Sequence, residues 1–365
     1  MSLRRRAGLP SRLAGALLVL SVILPAAGCE GAGRGDASGD PPGAGGELVR
    51  FTVPQGAGFR QVTDTLVTRD LVGNALLFRV YAKVRGDDAN VRAGQYAVAA
   101  GAGWGSLLDD LVAGRVETMP VTIPEGWTIR QISERLTTIT GLDPEEIQAA
   151  LQAEDEAARL EVPGPGLEGY LFPDTYRFSP GVGLESVVQA MVAGYKRLWT
   201  PERRARAEEM DMTEREVMTL ASIVQAEARQ TSEMPRISAV FHNRLKIGYL
   251  LQADPTVQYA LGERRSRLLY RDIDAVADNP YNTYTNAGLP PGPIGAAGAA
   301  ALDATLWPED SDFLYFVARP DGSHIFTRSL EEHNRARVEA RRQWDAMERT
   351  TGGDDGGDDN GNDSP

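Results

Sequence analysis

From Leu48 onward, LVRFTVPQG alternates apolar and polar residues, the period-two pattern of a half-buried strand. FRQVTDTLVTRDLV then carries apolar residues three and four apart, which predicts an amphipathic helix. NALLFRVYAKVRG predicts a second helix, AGQYAVAAG a short strand, and WGSLLDDLVAG a helix closed by glycine. These elements form a small α/β unit over 47–117. It has no polar constellation suited to chemistry, so it reads as a binding or spacing module. MPVTIPEGWTIRQISERL opens a larger block, 118–349, with strand, turn and helix, and Thr128 and Glu134 are placed for its N-terminal cap. LEGYLFPDTYRF is dense in aromatic and turn residues, and 212–349 carries the densest polar and Gly/Pro motifs. No fixed period repeats, which argues against a solenoid. The expected class is α+β, a small α/β module followed by a larger mixed α+β domain.

The first 29 residues follow a different pattern. Arg4, Arg5, Arg6 and Arg12 precede the short apolar run Leu13 to Ala27, the layout of a secretory signal. The run is short for a membrane span. Ala26-Ala27-Gly28-Cys29 resembles a bacterial lipoprotein box, in which Cys29 is acylated, although the leucine usual three places before the cysteine is missing. The alternative is an ordinary signal or an uncleaved anchor. Either reading places the remainder outside the cytoplasm, and an N-terminal lipid or an uncleaved segment would hold it at the extracytoplasmic face of the bacterial cell membrane. Residues 30–46 are rich in Gly, Ala, Asp and Pro and read as a flexible linker, and 350–365 as an acidic disordered tail.

Composition narrows the chemistry. The net charge is −13, from 38 basic and 51 acidic residues, which argues against nucleic acid as a partner. One cysteine rules out an intrachain disulfide and a Cys-based zinc site. His242, His324 and His333 lack ligand spacing, so neither a metal nor a cofactor is expected.

One carboxylate stands out. TEREVMTLASIVQAEARQ has helical spacing, with Thr213 and Glu216 as a capping box. Val217, Leu220, Ala221, Val224 and Ala228 share one face, Ile223 extends it, and Glu227 projects inside that apolar arc. Gln225 projects outside it. Apolar neighbours disfavour the charged form and raise a carboxyl pKa, as a general acid near neutral pH requires. The competing reading is an ion pair with Arg229 or Arg236, and helical geometry alone leaves both open.

LEGYLFPDTY (167–176), LASIVQAEA (220–228), VFHNRLKIGYLLQADPTVQYAL (240–261), YNTYTNAGLPPGPI (281–294) and FLYFVARPDGSHIFTRSLEEHN (313–334) together resemble the YceG-like (MltG-type) endolytic murein transglycosylases. They occur in that family's order across most of 118–345, and 47–117 resembles the family's LysM-like domain. The resemblance implies cleavage of peptidoglycan glycan strands between N-acetylmuramic acid and N-acetylglucosamine, leaving 1,6-anhydro ends. It also implies an association with penicillin-binding proteins or other glycan synthases. The family's helix often carries two acids. Here the first position is Gln225, so the catalytic role passes to Glu227 alone.

Further candidates follow from sugar chemistry. Gln252, Asp254 and Thr256 could line a sugar groove, although Asp254 could equally close an Asx-turn. Asn282, Thr283 and Tyr284 are candidates for N-acetyl contacts and ring stacking, against the alternative of a rigid loop braced by Pro290, Pro291 and Pro293. Glu168 and Tyr170 could help build the cleft, although an internal bond is the stronger expectation. His324 and His333 read as local structural residues. Two rival functions remain: a muramidase-type hydrolase using Asp254 or Glu168 as second carboxylate, and a non-catalytic peptidoglycan-binding lipoprotein.

Overall fold

A computed structural model describes residues 47–265 and 268–351. The signal segment, Cys29, the linker 30–46 and nearly all of the acidic tail lie outside the described residues. Among the described residues no helix is long and apolar enough to cross a membrane.

The first elements are β1 (Leu48–Val53), α1 (Phe59–Thr68), α2 (Ala75–Arg85), β2 (Gly94–Ala99) and α3 (Trp104–Ala113). Strand β1 pairs antiparallel with β2, Phe51 opposite Tyr96, and the two rings stack at 5.5 Å. Alternation along β1 buries Phe51 and Val53 and leaves the intervening polar residues outside. These side chains join Val62, Leu66, Phe78, Tyr96, Leu107 and Leu108 in one hydrophobic core.

A second core begins at β3 (Met119–Thr122) and α4 (Ile129–Thr140). Helices α5 (Pro144–Gln152) and α6 (Glu154–Arg159) lead to β4 (Thr175–Phe178), which pairs antiparallel with β3. The strand within LEGYLFPDTYRF was hidden by its turn residues. Gln131, and not Glu134, completes the cap at Thr128, accepting the Thr128 backbone N–H at 3.0 Å.

Helices α7 (Leu184–Leu198), α8 (Pro201–Glu209), α9 (Glu214–Glu227) and α10 (Met234–Lys246) follow. Then come α11 (Asp254–Leu261), α12 (Tyr270–Ala275), α13 (Ala299–Leu306), the antiparallel pair β5 (Tyr315–Ala318) and β6 (His324–Thr327), and α14 (Leu330–Thr351). The fold is α+β, with short antiparallel strand pairs among many helices. Helix α9 packs against α10, α11 and α13 and buries every residue from Val217 to Val224. Its capping box forms as the sequence predicts: the Thr213 backbone N–H donates to Glu216 at 2.8 Å. The helix stops at Glu227, whereas the apolar spacing had carried it to residue 230. Ala228 is already extended, with φ −75° and ψ 123°.

Candidate active site

The early end of α9 changes the chemistry of Glu227. Its carboxyl leaves the last turn, where unpaired carbonyls give the helix its negative end. It is half-buried, and burial pushes its pKa to about 8. The negative charge of Asp254 pushes in the same direction, and the Arg244 guanidinium opposes both. No described residue donates a hydrogen bond to this carboxyl or forms an ion pair with it. Arg236 is taken by Glu309 at 2.9 Å, and Arg229 is exposed without reaching it. The ion-pair alternative therefore does not hold.

Arg244 was not singled out by the sequence analysis. It lies on α10 in step with Ile237, Val240 and Phe241, a charged residue at a position the helical period marks as buried. That interruption was the available signal. Only 9% of its surface is exposed. Its Nε donates to the Leu314 carbonyl at 2.7 Å and its Nη1 to the Leu251 carbonyl at 2.6 Å. The guanidinium stands over the Tyr315 ring, 5.3 Å from the centroid. One cation thus ties the start of β5 to the chain leading into α11 while its field acts on Glu227.

Asp254 occupies the first turn of α11, exposed, and accepts a hydrogen bond from the Tyr284 hydroxyl. Burial, followed by the Asp254 charge, holds the half-buried Tyr284 phenol above its ordinary pKa. Gln252 is exposed as well, at φ +48°, a left-handed conformation uncommon for a side-chain-bearing residue. Its backbone N–H reaches the Thr283 carbonyl at 3.1 Å. Asp254 and Tyr284 thus lie within electrostatic reach of Glu227, and the exposed Gln252 joins them through its bond to Thr283.

Four other candidates are corrected by burial. Thr256 and Thr283 are buried and bond to each other, Oγ1 to Oγ1, at 2.9 Å. Thr283 Oγ1 also accepts the Ala253 N–H at 3.0 Å. Asn282 is fully buried, donating to the carbonyls of Ile273 and Val276 and accepting the Tyr284 N–H. Tyr170 is 0% exposed, packs edge-on against Tyr195, and its hydroxyl has no hydrogen-bond partner among the described residues. None of the four can touch a sugar in this conformation. The first three instead clamp the loop that presents Gln252, Asp254 and Tyr284.

Glu168 is the instructive contrast. It too is half-buried and raised to about 8 by burial, yet its oxygens are engaged. They accept the Ile129 N–H at the start of α4 at 3.0 and 3.2 Å and the Tyr259 hydroxyl at 3.3 Å. Its next neighbour Gly169 adopts φ +81° directly beneath Pro293. Glu168 therefore serves as an internal strut. Two polar side chains of α9 hold the facing loop: Ser222 Oγ accepts the Ile294 N–H at 3.0 Å, and Gln225 Oε1 accepts the Gly298 N–H at 3.1 Å. Gln225, where the resemblance would allow a second acid, thus has a structural task.

Each histidine has a partner in the fold. His324 Nδ1 meets Glu233 at 2.7 Å, His242 bonds the Thr305 carbonyl at 2.9 Å, and His333 stacks on Tyr315. No group of three or more His, Cys, Asp or Glu side chains that could hold a metal occurs among the described residues.

Residues 51–339 match the model of the YceG-like family. The chain is 32% identical over 305 residues to an endolytic murein transglycosylase of Bacillus subtilis, covering 79% of this chain and 84% of that one. It is 30% identical over 324 residues to the protein of that name from Streptococcus pneumoniae, again over 79% of this chain but only 58% of the longer relative. A crystal structure of a yceG-like protein from Listeria monocytogenes matches with TM-score 0.55 and 32% identity, over 80% of this chain and 99% of that one. By motif order, fold and similarity along most of its length, the chain belongs to the YceG-like family.

Proposed function

We propose that this chain is an endolytic lytic transglycosylase that cleaves peptidoglycan glycan strands between N-acetylmuramic acid and N-acetylglucosamine, with Glu227 as general acid and base. What carries the reading is the Glu227 carboxyl, pushed by burial to about 8 and given no hydrogen-bond donor among the described residues, beside the exposed Asp254. The name borne by the Bacillus and Streptococcus relatives supports it.

One carboxyl acts twice. Protonated Glu227 gives its proton to the glycosidic oxygen, the C1–O bond breaks, and positive charge develops at the muramic acid C1. The ionised carboxylate, favoured at that moment by the field of Arg244, takes the proton of the C6 hydroxyl of the same sugar. The C6 oxygen then bonds C1 and closes the 1,6-anhydro ring. Protons and bonds balance without external water. Gln252, Asp254 and Tyr284 supply the acceptors and donors that orient the sugar. Residues 47–117 act as a LysM-like glycan-binding module, and 118–349 as the catalytic domain. The enzyme works at the extracytoplasmic face of the membrane, anchored through its N-terminal segment and beside the glycan synthases.

A second reading has one observation in its favour: Asp254 is near enough to bias Glu227 electrostatically. A hydrolase could use such a pair, with carboxyls about 5–9.5 Å apart. Mass spectrometry of the products decides. Anhydro ends, lighter by one water, support the transglycosylase; reducing ends support the hydrolase and overturn the proposal.

A further inference from the structure

Helix α2 carries an apolar stripe that covers no core. Leu76, Leu77, Val80 and Val84 are 66%, 56%, 52% and 83% exposed. At 100° per residue they occupy one arc of the helix, opposite Phe78 and Ala82, which are fully buried. Four large apolar side chains contiguous on one helix face mark an interaction surface, unlike isolated surface leucines.

The charges beside the stripe select its occupant. ALLFRVYAKVR contains three cations and no acid. Arg85 is engaged by Asp87 at 2.9 Å and Asp109 at 2.6 Å. Arg79 and Lys83 border the stripe on its other flank, and neither enters an ion pair with a described residue. An apolar arc flanked by cations is the layout of a helix lying in a bilayer interface, apolar side chains among the acyl chains and cations at the phosphates. A second copy of this chain would instead bring like charges together. The chain as a whole is strongly acidic, at −13, so approach to an anionic surface requires a local face of cations such as this one.

Chain length agrees. Only the seventeen residues Glu30–Gly46 separate the membrane-directed segment from Glu47. Fully extended they span no more than about 60 Å, so the module is confined near the bilayer at high effective concentration.

We propose that the Leu76, Leu77, Val80 and Val84 face of α2, with Arg79 and Lys83, is a bilayer-binding surface for anionic lipid. It acts as a second, reversible membrane contact beside the N-terminal anchor. This inference does not rest on the transglycosylase reading.

The test is vesicle flotation of the chain from Glu30 onward, which lacks the anchor and keeps every described residue. It uses vesicles of equal phosphatidylglycerol and phosphatidylcholine, and of phosphatidylcholine alone. The parent chain is expected to float with the anionic vesicles, less with the neutral ones, and less as salt rises. Leu76→Ser/Val80→Ser/Val84→Ser and Arg79→Glu/Lys83→Glu should each lower the bound fraction at least tenfold at an unchanged melting temperature. Should the triple variant unfold, Val84→Ser alone gives the same direction at smaller size. The proposal is overturned if the parent chain does not float, or if the variants float as well as the parent. It is equally overturned if sedimentation shows a dimer that the triple variant dissolves while lipid binding is absent.

Discussion

Replacing Glu227 with glutamine keeps the shape of the protonated side chain and removes its ability to ionise, so the cost of its surroundings can be read as stability. Burial raises this carboxyl from the ordinary 4.5 to about 8 in the folded chain. Between those values the unfolded chain releases a proton that the folded chain keeps. Stability contributed by this group is therefore present below about pH 4.5 and lost as pH rises toward 8. At 1.36 kcal/mol per pH unit the loss reaches about 3 kcal/mol at pH 7 as a ceiling, and on the order of 2 kcal/mol once screening of a half-buried group is allowed for. Glutamine carries no such term. Urea unfolding of parent and Glu227→Gln should thus give nearly equal stabilities at pH 5 and a variant more stable by ~2 kcal/mol at pH 7.5. Glu168, also raised, is common to both proteins and cancels from the difference. A difference that stays flat with pH, or a variant less stable at pH 7.5, would refute the claim that its surroundings hold Glu227 protonated.

Asp254→Asn removes a negative charge that raises Glu227 and leaves an oxygen to accept from Tyr284. The alkaline limb of the pH–rate profile for glycan cleavage should move to lower pH, and an unmoved limb contradicts the coupling. Tyr170→Phe deletes a buried hydroxyl that has no partner among the described residues. Thermal unfolding should show the variant equally stable or more stable by up to ~1 kcal/mol, with cleavage rate unchanged, whereas lost cleavage would restore Tyr170 as a functional residue. Gly169→Ala puts a methyl at φ +81° into Pro293. Chemical denaturation should register a loss of roughly 2 kcal/mol or more, and a neutral result would show that the 167–172 loop can shift.

The α+β class, the strand–helix–helix–strand order of the first module and the Thr213 capping box were all legible in the sequence, because each follows from local periodicity and capping chemistry. The position of Glu227 was legible for the same reason, as a carboxyl breaking an apolar stripe. The same rule applied to α10 would have found Arg244, which breaks the run of Ile237, Val240 and Phe241. What periodicity could not say is where α9 stops. Ala228 and Arg229 are good helix formers, yet Ala228 is already extended. Nor could it separate polar residues that face a ligand from those that face each other. Thr256, Asn282 and Thr283 look like sugar contacts in one dimension, yet their partners lie up to 30 residues away. Glu168 and Glu227 look alike by environment, with the same burial and the same displacement. The bonds to Ile129 and Tyr259, and the absence of the Asp254 and Arg244 charges from its surroundings, distinguish the strut from the candidate acid.

The central claim is most directly tested by the rate at which uncrosslinked glycan is cut by the parent chain and by Glu227→Gln, with folding checked by circular dichroism on the same samples. Removing the one proton donor and acceptor should lower the release of anhydro-ended fragments by about 10²–10⁴-fold while the variant remains folded. A folded variant that cuts at the parental rate would contradict the assignment of Glu227.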